Sequence, residues 1–172
     1  MWFSKVTRFV LTALVFLFAV YQFVEGEIGN GIFLLLLTGI VLATVWFNEA
    51  MLLAFLALRK QDFAKTKKWL DKIDKPELML KSQTAYYYYL MGLVMSQSRE
   101  MGKSEGMFKK ALSLGLRMEH DRAMAKLNLA GVAAAKRRKR EATNWLSQAK
   151  KEDTKGLLND QIKMMKDQLK RI

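Results

Sequence analysis

The residues able to do chemistry in this chain are few, and most of them are cations. Gly102, Lys103 and Ser104, within "MGKSEG", follow the Gly-Lys-Ser order of a phosphate-binding loop. That loop also needs a glycine five residues before Gly102 and a strand leading into it, and the chain has neither there. The triplet therefore reads as a turn between helices. His120 is the only histidine and there is no cysteine. A His-based or thiolate metal site and a cysteine nucleophile are thereby excluded. No HExxH pattern and no paired-carboxylate constellation stands out. The sequence predicts no enzyme and no cofactor. What remains is anion-binding chemistry in Lys136, Arg137, Arg138, Lys139 and Arg140, a run suited to nucleic acid or to anionic lipid headgroups. Ala142, Trp145, Leu146 and Ala149 follow at helical spacing, so the run is read as a helix-to-helix turn and the start of the second helix.

The elements that must position these cations are helical. The chain has 172 residues with one proline and ten glycines, and strand-like alternation is hard to find. The net charge of +13 is uneven: residues 1–48 balance Lys5 and Arg8 against Glu25 and Glu27, and residues 49–172 carry the whole excess. A basic second part favours acidic partners, whether lipid headgroups, RNA or acidic proteins.

Two uncharged stretches open the chain, Phe9–Val24 and Ile28–Asn48. A helical span needs roughly 20 apolar residues, so both are read as spans, over residues 7–24 and 29–48, in a hairpin turning at "EGEIGNG". Trp2, Phe3 and Val6 extend the first. A signal peptide is the competing reading, but no small-x-small site precedes "EGE" and a second apolar stretch follows at once. Cations flank the pair on its outer ends and only acids occupy its turn, so the positive-inside rule places both ends of the hairpin in the cytoplasm. Apolar residues continue to Leu58. A single helix from Gly31 to Leu58 would be roughly 42 Å long, and its last turns would emerge and pack on something else.

Shifted by 38 residues, the second part matches itself. Ala54, Gly92 and Ala130 fall in register, as do Thr66, Ser104 and Ala142, and all are small. Leu70, Phe108 and Leu146 are large and apolar. Ile73, Ala111 and Ala149 follow, and Leu53, Met91 and Leu129, then Leu56, Val94 and Val132, complete the set with Trp69, Met107 and Trp145. Small residues let paired helices approach closely, and the large ones fill the space between successive pairs.

This arrangement resembles the tetratricopeptide repeat, in units over 47–84, 85–122 and 123–154. "QDFAKTKKWLDKID" is similar to a second helix of that family, and "YYYYLMGLVMSQ" to a first, with Tyr88 at its large anchor position. The outer units depart from the pattern, with Ala50 and Lys126 at that anchor. The closing proline is absent, although Pro76 is near, and the longer period suggests about four extra residues in each inter-repeat loop. Composition, the apolar hairpin and this resemblance together predict an all-α chain: a transmembrane hairpin over 1–48, then a cytoplasmic solenoid of about three helix pairs over 49–172, closed by a capping helix over 156–171 where Leu158, Ile162, Met165 and Leu169 recur at helical spacing.

The resemblance further implies protein–protein binding in a concave groove. Tyr86, Tyr89, Leu93, Ser96 and Gln97 of unit two face it, with Met124, Leu127 and Gly131 of unit three and the polar Asn128. Tyr88 is expected in the core, and the C-terminal helix folding back to fill the groove is the competing arrangement. The leading expectation is a membrane-anchored adaptor that helps assemble or recruit a membrane complex through an unidentified protein partner. A basic protein docking on anionic lipid, ribosome or RNA is the first alternative. The second is a small accessory subunit whose hairpin is the interface, through Gly31, Thr38, Gly39 and Ala43.

Overall fold

The structure, a computed structural model, describes residues 5–46 and 48–171, with side chains described for 7–43 and 48–171. Among them are nine α-helices, one 3₁₀ turn and no strand. The chain divides into two compact units, Met1–Glu49 and Ala50–Ile172.

In the first unit α1 (Lys5–Val24) and α2 (Ile28–Trp46) pack together as an antiparallel pair. Gly26 makes the turn at φ +83, a conformation other residues adopt at a cost. Gly31 lies against Phe23, and a Cβ there would come within 2.8 Å of the ring. A Cβ on Gly39 would meet nothing within 4 Å, so this glycine is not required for a close approach between the two helices. The hydroxyls of Thr12 and Thr38 donate to the carbonyls of Arg8 and Leu34, so neither is left unpaired in an apolar helix. Trp2 and Phe3, and the side chain of Val6, lie outside what is described.

Of the two spans expected, one is found among the described residues. Thr7–Val24 is long and apolar enough to cross a membrane, a property shared by signal sequences and by core helices of soluble proteins. The apolar stretch described in α2 is Ile28–Ala43. The long helix from Gly31 to Leu58 is also not formed: α2 ends at Trp46, Asn48 is not helical, and α3 starts at Glu49. Phe47, the first residue of repeat unit one, is not among the described residues.

The second unit runs through α3 (Glu49–Arg59), α4 (Phe63–Leu70), a 3₁₀ turn (Pro76–Leu78), α5 (Lys81–Gln97), α6 (Met101–Leu114), α7 (Glu119–Ala135), α8 (Lys139–Glu152) and α9 (Asn159–Lys170). α5 pairs with α6 and α7 with α8, while α4 packs on α5, α6 on α7 and α8 on α9. Displaced by 38 residues, the limits of α5 and α6 become those of α7 and α8. The three small residues Ala54, Gly92 and Ala130 are all buried, and so are Thr66, Ser104 and Ala142, and Leu70, Phe108 and Leu146. This is the interior of a stack of helix pairs.

The backbone repeats with the side chains. Gln61, Arg99 and Arg137, again 38 apart, have φ of 57, 60 and 56. In each turn the amide after this residue donates five residues back: Asp62 to Ala57 at 3.0 Å, Glu100 to Met95 at 2.9 Å, Arg138 to Ala133 at 2.8 Å. The left-handed residue itself donates three back, to Leu58, Ser96 and Ala134. This bonding closes a helix and usually employs glycine. Here a glutamine and two arginines hold the left-handed conformation at about 1 kcal/mol each.

The extra length of the repeat is not shared equally by the loops, contrary to expectation. Residues 71–80 separate α4 from α5, where the buried Thr84 hydroxyl donates to the Pro76 carbonyl at 2.8 Å. Between α6 and α7 only residues 115–118 remain, because α6 runs on to Leu114 before Gly115 breaks it at φ +91. Arg122, in register with Thr84, ties that shorter loop through the carbonyls of Leu116 and Arg117. The capping helix starts later than the expected residue 156. The Asp153 carboxylate first accepts the amides of Leu157 and Leu158, and α9 then begins at Asn159.

Candidate functional site

α5 and α7 carry the residues expected to line a groove. Tyr86 and Tyr89 lie three apart, and their rings meet edge to face with centroids 6.3 Å apart. They differ in fate. The Tyr86 hydroxyl donates to the Asp121 carboxylate on α7 at 2.7 Å, and its ring stays half-buried. Partial burial, then the bond to Asp121, pushes the Tyr86 phenol up to about 12. Tyr89 is only 7% exposed and packs into the core, with its ring 6.2 Å from Phe108. Burial, reinforced by the charge of Asp121, raises the Tyr89 phenol and keeps it neutral. Tyr89 therefore offers no open ring to a partner, a correction to its placement in the groove. Leu127 is likewise buried, in a cluster with Ala130, Ile162 and Leu169. α9 lies over this part of α7, with the Met165 methyl 3.4 Å from where a Cβ on Gly131 would stand. Leu93 and Asn128 stay half-buried and Gln97 is exposed. The Asn128 side chain donates to the Met124 carbonyl at 2.8 Å. Of the nine residues expected to line the groove, Tyr89 and Leu127 are buried, while Tyr86, Leu93, Ser96, Gln97, Met124, Asn128 and Gly131 keep some surface.

The remaining tyrosines face elsewhere. Tyr88 is buried, as expected, and accepts from Lys110 on α6 at 2.6 Å. Its ring meets that of Tyr87 edge to face at 5.3 Å. A shallow cleft beside it is lined by Met79, Thr84, Lys110 and Leu114.

The five cations split in the same way. The turn after α7 holds Lys136, Arg137 and Arg138, and α8 begins with Lys139 and Arg140. Lys136 donates to Glu105 on α6 at 2.6 Å, and Arg138 stands 3.4 Å from Glu141 and 3.6 Å from Glu105. Lys136 thus ties neighbouring helix pairs together, and Arg138, although exposed, reaches Glu105 from the same turn. Arg137, Lys139 and Arg140 are exposed and make no ion pair among the described residues. Arg59, Lys60 and Arg99, at the equivalent turns, are also exposed and unpaired among them.

Sequence reasoning did not single out the acids that organise these ties. Glu105 receives Lys109 at 2.6 Å as well as Lys136. Glu152 receives Lys126 at 2.8 Å and Arg122 at 2.9 Å, so the Lys that replaces a large anchor in unit three clamps α7 to α8 instead. The available signal was the i,i+4 spacing of Glu105 and Lys109. The bonds from Lys109 and then Lys136 lower the Glu105 carboxyl from 4.5 to about 2. A depressed carboxyl stabilises the fold above its unfolded value and loses that contribution as pH falls toward its folded value. Glu105→Gln is expected to be less stable than the parent at neutral pH, and to lose less further stability between pH 4.5 and pH 2. Denaturant midpoints measured across that range check this, and parallel acid profiles for the two proteins would refute it.

Gly102 and Ser104 lie in the first turn of α6, where Ser104 is fully buried and its hydroxyl donates to the Gly92 carbonyl at 3.0 Å. The triplet serves helix pairing. His120 is exposed in the first turn of α7. Among the described residues no group of three or more His, Cys, Asp or Glu stands close enough to hold a metal ion. What the arrangement offers is surface: a half-open face on α5 and α7, and a row of unpaired cations at successive turns. Set against protein-family models, curated proteins and solved structures, the chain matches none of them.

Proposed function

We propose that this chain is a membrane-anchored adaptor in which a tetratricopeptide-like repeat domain presents a protein-binding surface at the cytoplasmic face of the membrane. The observation that carries this reading is the joining of two dissimilar units in one chain. The first is a helix pair whose large apolar side chains point outward, among them Phe9, Leu14, Leu17 and Phe18 on α1 and Ile32, Phe33, Leu36 and Ile40 on α2. A surface of that kind is covered by lipid or by another protein, not by water. The second is a stack of helix pairs, an architecture whose successive first helices form extended binding faces. The pair α1 and α2 inserts as a hairpin, with the acids of its turn outside and both of its ends in the cytoplasm. The repeat domain then assembles or recruits a membrane complex through Tyr86, Leu93, Gln97 and Asn128.

Two measurements test this. Single cysteines at Asn30 and Ser147, in a chain with none of its own, are labelled with an impermeant thiol reagent on intact cells. Labelling at Asn30 alone is expected, and labelling at Ser147 alone would invert the topology. The detergent-solubilised protein is then purified beside its Leu93→Ala, Gln97→Ala variant. A partner recovered with the parent and lost from the variant is expected. Identical recovery from both would remove this face as the binding site.

A second reading is favoured by the unpaired cations Arg59, Lys60, Arg99, Arg137, Lys139 and Arg140, which recur at three successive turns. On that reading the turns dock on an anionic surface, lipid or ribosomal RNA. Binding that falls steeply with salt would distinguish it from an apolar groove.

A further inference from the structure

The two ends of the helix stack are finished differently. At the C-terminal end α9 covers α7 and α8 with Leu158, Ile162 and Leu169, and turns Lys163, Lys166 and Lys170 to solvent. That is the polar outer face a solenoid end requires. At the N-terminal end α3 has no such cover within its own unit. Met91 and Leu129 are 6% and 1% exposed, but Leu53, in register with them, is 37% exposed. Val94 and Val132 are each 2% exposed, and Leu56 is 45% exposed. Met91, Val94 and Leu129 belong to one core cluster that draws on α3 through α7, and α4 packs on α5 as α6 packs on α7. Leu52 and Phe55 widen the open face of α3. The helix is apolar on its inner side too, where Ala54 and Ala57 are buried. A helix apolar all round is not stable facing water.

We infer that the headgroup boundary of the lipid bilayer caps this end of the repeat, with Leu52, Leu53, Phe55 and Leu56 seated in it and Arg59 and Lys60 reaching the phosphates of anionic lipids. The inference rests on the reading of α1 and α2 as a bilayer anchor and adds where the repeat domain lies on that bilayer. Three observations select lipid over other covers. In the sequence, α3 follows the last residue of α2 after only Phe47 and Asn48, so it starts at whatever boundary the anchor occupies. Arg59 and Lys60, exposed at its far end, suit a phosphate layer, along which long cationic side chains reach from an apolar seat. The excess charge of +13 lies wholly in residues 49–172, so a second copy of this domain would bring like charge to the same face.

The test uses the full chain in vesicles of phosphatidylcholine and phosphatidylglycerol, with one nitroxide per protein at Phe55→Cys, Leu52→Cys, Leu17→Cys or Ser147→Cys. Accessibility to oxygen is compared with accessibility to a water-soluble nickel chelate. Labels at Phe55 and Leu52 are expected to shift to the lipid pattern, oxygen-accessible and protected from the chelate, while Ser147 keeps the aqueous pattern. Leu17 reports the anchor separately. Chelate-accessible labels at Phe55 and Leu52 with a lipid pattern at Leu17 would overturn the inference and leave the anchor standing. Labels shielded from both reagents would show a protein cover, a second copy or another partner, and would also overturn it. An aqueous pattern at Leu17 would overturn the anchor and the inference together.

Discussion

Replacing Gly92 with alanine destabilises the repeat domain by about 1–3 kcal/mol, and replacing it with leucine costs more. A Cβ at this position would stand 2.9 Å from Cδ1 and Cε1 of Phe108 and 3.1 Å from Cζ. Real side chains do not approach that closely, so the ring would have to move. It has little room to do so. Phe108 is fully buried, with Tyr89 beside it and Ala111 one turn on in the same cluster. The Ser104 hydroxyl, bound to the Gly92 carbonyl, holds α6 against α5 at the same level. The other units show how the clash is avoided, since they pair Ala54 with Leu70 and Ala130 with Leu146. Unit two combines a larger ring with the loss of a methyl group. The Gly92→Ala, Phe108→Leu double variant is therefore expected to recover much of the loss, with a coupling of about 0.5–3 kcal/mol between the two sites. Denaturant unfolding of the two single variants and the double variant measures this. Strictly additive effects would show that the two residues do not share one packing space.

The same pair shows why the repeat could be read before any coordinates. Small and large residues at fixed offsets are a property of the sequence itself, and one shift of 38 aligned them all. Burial then followed the alignment at nearly every position. What the sequence concealed are features that side-chain type does not encode. Gln61, Arg99 and Arg137 occupy a left-handed position where glycine is the usual signal, so the turns could be placed but their conformation could not. The extra length of the repeat went into α6 in one unit and into a loop in another, because Gly115 stops a helix that the sequence otherwise continues. The break at Asn48 interrupts an apolar run that reads as one helix.

The candidate site was less legible than the fold. A groove assignment requires knowing which side of a first helix faces the next first helix, and spacing along one helix does not supply that. Tyr86 and Tyr89 were rightly placed on one face, but α7 takes up that face where Tyr89 lies and leaves it partly open at Tyr86. For the cation run the hidden element was Glu105. It lies 31 residues before Lys136 and meets it only through the stacking of α6 on the following pair.

Tyr89→Ala is expected to cost about 3–5 kcal/mol, the range for removing a large aromatic side chain from a core. Its ring meets that of Phe108 and belongs to a core cluster with Leu90, Ala125 and Leu129, drawn from α5, α6 and α7. Deleting it opens a cavity where two helix pairs meet, and three helices cannot close on it without breaking the register of the stack. Tyr86→Phe is expected to cost only about 1–3 kcal/mol, because it leaves the ring in place and removes one bond to a carboxylate. Asp121 stays half-exposed and can turn to water. The contrast separates two roles within one pair of neighbouring rings. Melting temperatures of the two variants in the same detergent measure stability, and partner recovery at a temperature where both are folded measures binding. A large loss of stability at Tyr89, with unchanged recovery below its melting point, would place this tyrosine in the frame of the repeat. A Tyr89→Ala protein as stable as the parent, but unable to hold a partner, would mean that the ring is open in solution and that α5 and α7 part there to admit a ligand.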